Sequence, residues 1–168
     1  ITSTLEDLYP EPDIPLNHKN NFTFLVAVML SAQSTDKKVN EITPKLFQIA
    51  NTAKEMNELE MDEIKEIIRE IGLAPTKAKN IKKMSKQLLE NHNGEVPNTF
   101  EELEELAVVG HKTASVIMSQ AFNKPAFPVD THIHRLAFRW GLSSGKNVIT
   151  TEKDLKQIFE EKLWNKLH

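Results

Sequence analysis

Two side chains in this sequence have the type and setting for covalent chemistry at carbon: Lys112 and Asp130. Lys112 stands in Leu106-Ala107-Val108-Val109-Gly110-His111-Lys112-Thr113-Ala114, a short turn ending in glycine that leads into a helix. Such a turn aims main-chain N–H groups outward at a positive helix end, which holds phosphate without reading base sequence. Lys112 falls in the first turn of that helix, where the dipole disfavours an ammonium, and only the neutral amine attacks carbon. Asp130, in Pro128-Val129-Asp130-Thr131-His132, is the only carboxylate between residues 106 and 147, a stretch that also holds Lys112, Lys124, Arg135, Arg139 and Lys146. A lone acid beside a nucleophilic amine can take its proton and stabilise a developing cation. The pair fits attack at an electrophilic sugar carbon adjoining phosphates. Spacing alone leaves plainer roles open: a surface lysine at a helix start, and an N-cap aspartate.

The elements that must hold these groups read as helices. Ile64, Ile67, Ile68 and Ile71 recur at the i, i+3, i+4, i+7 spacing of one buried stripe, with Gly72 at the expected C-cap. Ala78, Ile81, Met84, Leu88 and Leu89 continue the theme after Pro75 until Asn93-Gly94 stops it. Asn98 or Thr99 caps a short helix through Leu106, with Glu101 and Glu102 at its positive end. Further helices are expected near 22–32, 36–50, 52–59, 111–122, 130–141 and 151–161, with Pro44 kinking or splitting the second. No segment alternates with period two, so the expected class is all-α, with about nine or ten short helices. Residues 9–16, with Pro10, Pro12 and Pro15, form the one obvious linker.

Composition narrows the function classes. The 168 residues contain no cysteine, which excludes a disulfide scaffold, a thiol nucleophile and any Cys-ligated zinc or iron–sulfur site within them. The longest apolar run, Phe24 to Leu30, is too short to span a bilayer, and no signal-like segment opens the chain. An intracellular, soluble protein is therefore the default expectation, with no membrane partner. The net charge is only -3, but it is unevenly spread. Residues 54–70 are strongly acidic, whereas 75–92 carry Lys77, Lys79, Lys82, Lys83 and Lys86 against a single acid, Glu90. A chain of this balance can present a basic face to nucleic acid and an acidic back.

Five segments, in this order, carry a resemblance: Leu30-Ser31-Ala32-Gln33-Ser34-Thr35-Asp36; Ile71-Gly72-Leu73 with Lys77-Ala78; His92-Asn93-Gly94-Glu95-Val96-Pro97; Gly110-His111-Lys112-Thr113-Ala114; and Val129-Asp130-Thr131-His132-Ile133. Together they make the chain similar to the endonuclease III branch of the helix-hairpin-helix DNA glycosylases over nearly its whole length. The resemblance implies a two-lobed fold with a DNA groove between lobes: a six-helix barrel over 14–124, and a second helical lobe from 1–13 and 125–168. It implies excision of an oxidised pyrimidine from damaged double-stranded DNA, by a cytoplasmic, chromosome-associated protein. A monomer is the default expectation, because no exposed apolar heptad is evident. Lys112 would attack C1′ of the flipped nucleotide and form a Schiff base, Asp130 would assist it, and β-elimination would cut the strand. Gln33 and Leu73 would fill the vacated stack, since unstacking a base costs a few kcal/mol. A lysine at position 112 favours the bifunctional type over mismatch adenine glycosylases, which lack one there.

The chain departs from the family pattern in two places. The family hairpin usually reads Leu-Pro-Gly-Val-Gly, and Val108 replaces a glycine that permits positive φ, so a weaker phosphate contact is expected. The family hairpin often holds a monovalent cation by main-chain carbonyls, a site Val108 puts in question. Family members generally continue beyond the equivalent of His168 into a four-cysteine loop for a 4Fe-4S cluster, and a start at Ile1 without methionine is expected of a trimmed fragment. Other expected DNA contacts are Val109, Gly110, His111 and Thr113 at the hairpin, with Lys77, His132 and Arg135. The His132–His134 spacing lacks an acidic cluster, so no metal is expected there. Rival readings are a non-catalytic DNA-binding helical module, an adenine-mismatch or alkylbase glycosylase, and a helical protein-interaction domain.

Overall fold

The structure, a computed structural model, describes residues 1–11 and 13–168. Those residues form helices and turns, without strands. The order is α1 (Thr2–Leu8), α2 (Asn21–Ser31), α3 (Asp36–Ile49), α4 (Ala53–Glu58), α5 (Met61–Ile67), α6 (Ala74–His92), α7 (Phe100–Glu105), α8 (His111–Val116), α9 (Thr131–Arg139), α10 (Val148–Ile158) and α11 (Trp164–Leu167). A π-helical stretch, Ile117–Ala121, continues α8, and a 3-10 turn, Glu161–Leu163, precedes α11. The expected all-α class is what the chain adopts. By contacts it divides into two compact units, Ile14–Gly110 and Ile1–Asp13 with His111–His168. Residues 111–124, expected with the first of these, cluster with the second.

In the unit Ile14–Gly110, side-chain oxygens start most helices. Asn20 and Thr23 form a reciprocal capping box on α2, and Thr35, Thr52 and Thr99 accept from Lys38, Glu55 and Glu102 backbone N–H groups. Each such cap is worth about 1 kcal/mol. α6 is the axis of this unit, packing against α2, α4 and α5. Its stripe of Ala78, Ile81, Met84 and Leu88 is fully buried with Phe24, Leu30, Leu46, Met56, Ile64 and Ile68. Complete burial of one such side chain contributes roughly 1.5–3 kcal/mol.

Several local expectations differ from what forms. α3 runs unbroken through Pro44, because its buried stripe of Val39, Ile42, Leu46 and Phe47 outweighs the backbone hydrogen bond proline removes. Gly72 does not cap a helix: α5 already ends at Ile67, and the left-handed turn falls on Leu73, at φ 62°. α1 was not foreseen, and it buries no residue, so its pattern carried no stripe to read. The linker at 9–16 is irregular where described, and its Pro12 lies outside the described residues. The stop at Asn93-Gly94 does form, with both residues at positive φ and the Gly94 N–H reaching back to the Leu88 carbonyl at 2.8 Å.

The other unit has its own small core: Phe127, Val129, Ala137 and Leu155, with Ile133, Leu142, Phe159, Trp164 and Leu167 packed around them. Phe127 and Phe159 stack at 6.4 Å, and the Trp164 Nε1–H donates to the Phe159 carbonyl at 2.9 Å. Trp140 and Phe138 are 50% and 60% exposed. α9 buries only Ala137, so the rest of its apolar residues stay near the surface. Phe138 lies instead across Gly145, where a Cβ would come within 2.5 Å of its ring.

Candidate active site

Gln33, Leu73, Lys77, Val109 and Gly110, all named from the sequence, fall in the unit Ile14–Gly110. Gln33 is exposed at φ 58° in the turn after α2, and Leu73 is exposed at φ 62° just before α6. These two turns adjoin, since a Cβ built on Gly72 would sit 3.7 Å from the Gln33 carbonyl oxygen. An amide and an isobutyl side chain thus rise from neighbouring turns, each on backbone of positive φ. Lys77, in contrast, does not face outward. It is 8% exposed, and its ammonium donates to the carbonyls of Leu30 and Ala32 at 2.9 and 2.5 Å and to the Ser34 hydroxyl at 3.3 Å. Burial pushes its pKa below the ordinary lysine value. With all three donors engaged inside the protein, the expected phosphate contact of Lys77 is corrected to an internal one.

The hairpin turn keeps its shape despite the missing glycine. Val108 takes φ 64° and is 63% exposed, while Val109 is buried and Gly110 exposed. The Val109 N–H donates within the turn, to the Leu106 carbonyl at 3.2 Å. Gln87 of α6, which the sequence did not single out, clamps this turn. Its Nε2 donates to the Glu105 carbonyl at 3.2 Å and its Oε1 accepts from the Ala107 N–H at 2.7 Å.

The chemistry-bearing groups lie in the unit containing His111–His168. Lys112 is exposed at the second position of α8. Asp130 caps α9, and both cap bonds, from the His132 and Ile133 N–H groups at 2.9 and 2.8 Å, end on Oδ1. The cap fixes the carboxylate plane and leaves Oδ2 outside it. Lys112 and Asp130 both act electrostatically on one imidazole, His168. Burial, the largest influence, pushes the His168 pKa down; the Asp130 charge raises it and the Lys112 charge lowers it further. Its Nδ1 is sealed from solvent without a hydrogen-bond partner among the described residues. His168 was not picked out from the sequence, where it carries no spacing signal.

Around this centre, His111 is exposed and its Nε2 lies 3.3 Å from Glu152 Oε1, which also accepts from Lys156 at 2.6 Å. His132 and Arg135 are exposed, 3.3 Å apart at Nδ1 and Nη2, and Thr113 is half-buried. His134 points away from any metal cluster: it joins Thr151 at 2.8 Å, in a chain that continues through Ser143 to the Asp154 carboxylate. Among the described residues no group of three or more His, Asp or Glu side chains stands together as a metal site. The 168 residues contain no cysteine, so they supply no thiolate for an iron–sulfur cluster.

Residues 26–163 match the family model of the HhH-GPD superfamily base excision DNA repair proteins. The chain is 45% identical over 158 residues to endonuclease III of Haemophilus influenzae, covering 94% of this chain and 75% of that protein. Endonuclease III of Escherichia coli strain K12 is likewise 45% identical over 158 residues, with the same shares of 94% and 75%. A solved structure of a trapped endonuclease III–DNA covalent intermediate superimposes with a TM-score of 0.94 at 39% identity, covering 99% of this chain and 78% of that one.

Proposed function

The chain belongs to the endonuclease III branch of the HhH-GPD superfamily of base excision DNA repair proteins, and from that membership we propose how its own residues do the chemistry. It is a DNA glycosylase and abasic-site lyase of base excision repair. Its substrate is damaged double-stranded DNA carrying an oxidised pyrimidine, and its place of work is the cytoplasm, on the chromosome. Lys112 is the nucleophile. Its neutral Nζ attacks C1′ of an everted nucleotide, the glycosidic C–N bond breaks, and the base leaves with the electron pair. Opening of the C1′–O4′ bond gives a protonated Schiff base. Loss of a C2′ proton then expels the 3′ phosphate, and water hydrolyses the imine to restore the lysine. The strand is cut 3′ to the lesion.

Asp130 takes the proton from Lys112 and stabilises positive charge on the sugar. The N-cap supports this role because it holds the carboxylate by one oxygen and leaves the other to act. Exposed Gln33 and Leu73 fill the stack that the everted base leaves. His132 and Arg135 contact the DNA backbone, as do His111, Thr113 and the main chain of Val109 and Gly110. The observation that carries the reading is the 45% identity to endonuclease III over 94% of this chain, with an exposed Lys112 at the start of α8 and Asp130 held as the cap of α9.

A duplex with one oxidised pyrimidine tests it, with base release and strand cleavage followed together. Both are expected from the unaltered chain, at coupled rates, and not from duplexes with adenine opposite an oxidised guanine. Lys112→Gln should abolish cleavage. Asp130→Asn, which retains a capping oxygen, should slow it by about 10^2–10^4-fold. Base release without cleavage, or cleavage that survives Lys112→Gln, would contradict the assignment.

A further inference from the structure

The Lys77 ammonium is buried, although a chain that binds DNA gains most from lysines at its surface. It spans the space between the end of α2 and the start of α6. Its acceptors are the carbonyls of Leu30 and Ala32 and the hydroxyl of Ser34, which bracket Gln33 on both sides. Carbonyls at a helix C-terminus have no partner within the helix and carry the negative end of the dipole, so a cation there both satisfies and neutralises them. The main chain of the same residue is tied to the other turn: the Lys77 N–H donates to the Leu73 carbonyl at 2.9 Å. A single residue therefore grips both left-handed turns, at Gln33 and at Leu73. Within the Gln33 turn itself a backbone bond closes the chain, from the Ser34 N–H to the Ser31 carbonyl at 3.1 Å. Each turn places a non-glycine residue at positive φ, which costs of order 1–3 kcal/mol and persists only where surrounding structure enforces it.

We propose that Lys77 is a positioning residue that fixes Gln33 and Leu73 at one spacing, so that both enter the base stack as a rigid pair. This rests on the reading of Gln33 and Leu73 as stack-filling groups. A lysine serves here because its long stem crosses the apolar face of α6 beside Ala74, Ala78 and Ile81, and delivers three donors at the far end. Loss of those donors would free the turn after α2 and leave the two side chains to enter separately, at greater entropic cost. Removal of the charge matters only when there is a stack to fill.

The experiment compares covalent trapping by borohydride on an abasic site in duplex DNA with trapping on the same site in a single strand. In Lys77→Met the duplex-to-single-strand rate ratio should fall about tenfold, the scale of one lost charge-assisted hydrogen bond. Lys77→Arg should restore part of the ratio, and Gln33→Ala added to Lys77→Met should cost little beyond either change alone. Ser34→Ala removes one of the three acceptors without burying or exposing a charge. It should lower the same ratio by a smaller factor, and it decides the matter if Lys77→Met does not fold. An unchanged ratio in the folded variants, or losses from Gln33→Ala and Lys77→Met that simply multiply, would overturn the proposal. Failure of the unaltered chain to trap on either substrate would instead overturn the lyase reading itself.

Discussion

Val108 sits at φ 64°, where a β-branched side chain crowds its own backbone and glycine does not. Its side chain is 63% exposed, so it recovers little by packing. Val108→Gly should relieve about 1–3 kcal/mol of strain and give back part of it to the greater freedom of the unfolded chain. The net expectation is stabilisation by about 1 kcal/mol, read as a higher melting temperature with an unchanged denaturant slope. A lower melting temperature would mean that the turn is not strained. This conflict was visible in the sequence because a valine stands in a hairpin that needs a residue of positive φ. Lys77 was visible in a different way and was misread. It falls on the apolar stripe of α6 with Ala74, Ala78, Ile81 and Met84, and a lysine on a buried stripe signals an internal partner more than a phosphate. Leu73 gave no such sign, since nothing in a leucine announces a left-handed backbone.

At the scale of elements, caps and stripes were the readable features. Thr99 and Asp130 start α7 and α9 as their chemistry predicts, and the isoleucine stripe is buried through Ile64 in α5 and through Ile68 and Ile71 beyond its end. The change of α8 into a π-helix at Ile117 was not readable, because its i→i+5 bonding, such as Phe122 N–H to the Ile117 carbonyl at 3.3 Å, leaves the residue pattern helical. α11 brings His168 to the charges of Lys112 and Asp130, and this has a pH consequence. The folded protein disfavours the imidazolium, so between the lowered folded pKa and the ordinary value of 6.5 the unfolded chain binds more protons. Stability from this group is therefore complete above about pH 6.5 and is lost as pH falls toward the folded value. His168→Gln should flatten the pH dependence of the unfolding free energy just below pH 6.5, measured by urea denaturation. An unaltered acid limb would show that His168 titrates alike in both states.

For the whole molecule, the net charge of -3 concealed the distribution that matters. The long basic stretches lie in α6 and from α8 onward, whereas α4, α5 and α7 are rich in acids. No helix among the described residues is long and apolar enough to cross a membrane. The helical class and the family were legible because five short segments keep their order and spacing. The grouping of 111–124 was not, because helical periodicity says which face is buried and not against which unit. What the account requires above all is a covalent bond between one lysine and one sugar carbon. Incubation with an abasic-site duplex and borohydride, followed by protease digestion and mass measurement of the DNA-linked peptide, reads that bond directly. The expected result is a single adduct on the peptide containing Lys112, absent in Lys112→Gln. An adduct on any other amine, or none at all with intact protein bound to the duplex, would contradict it.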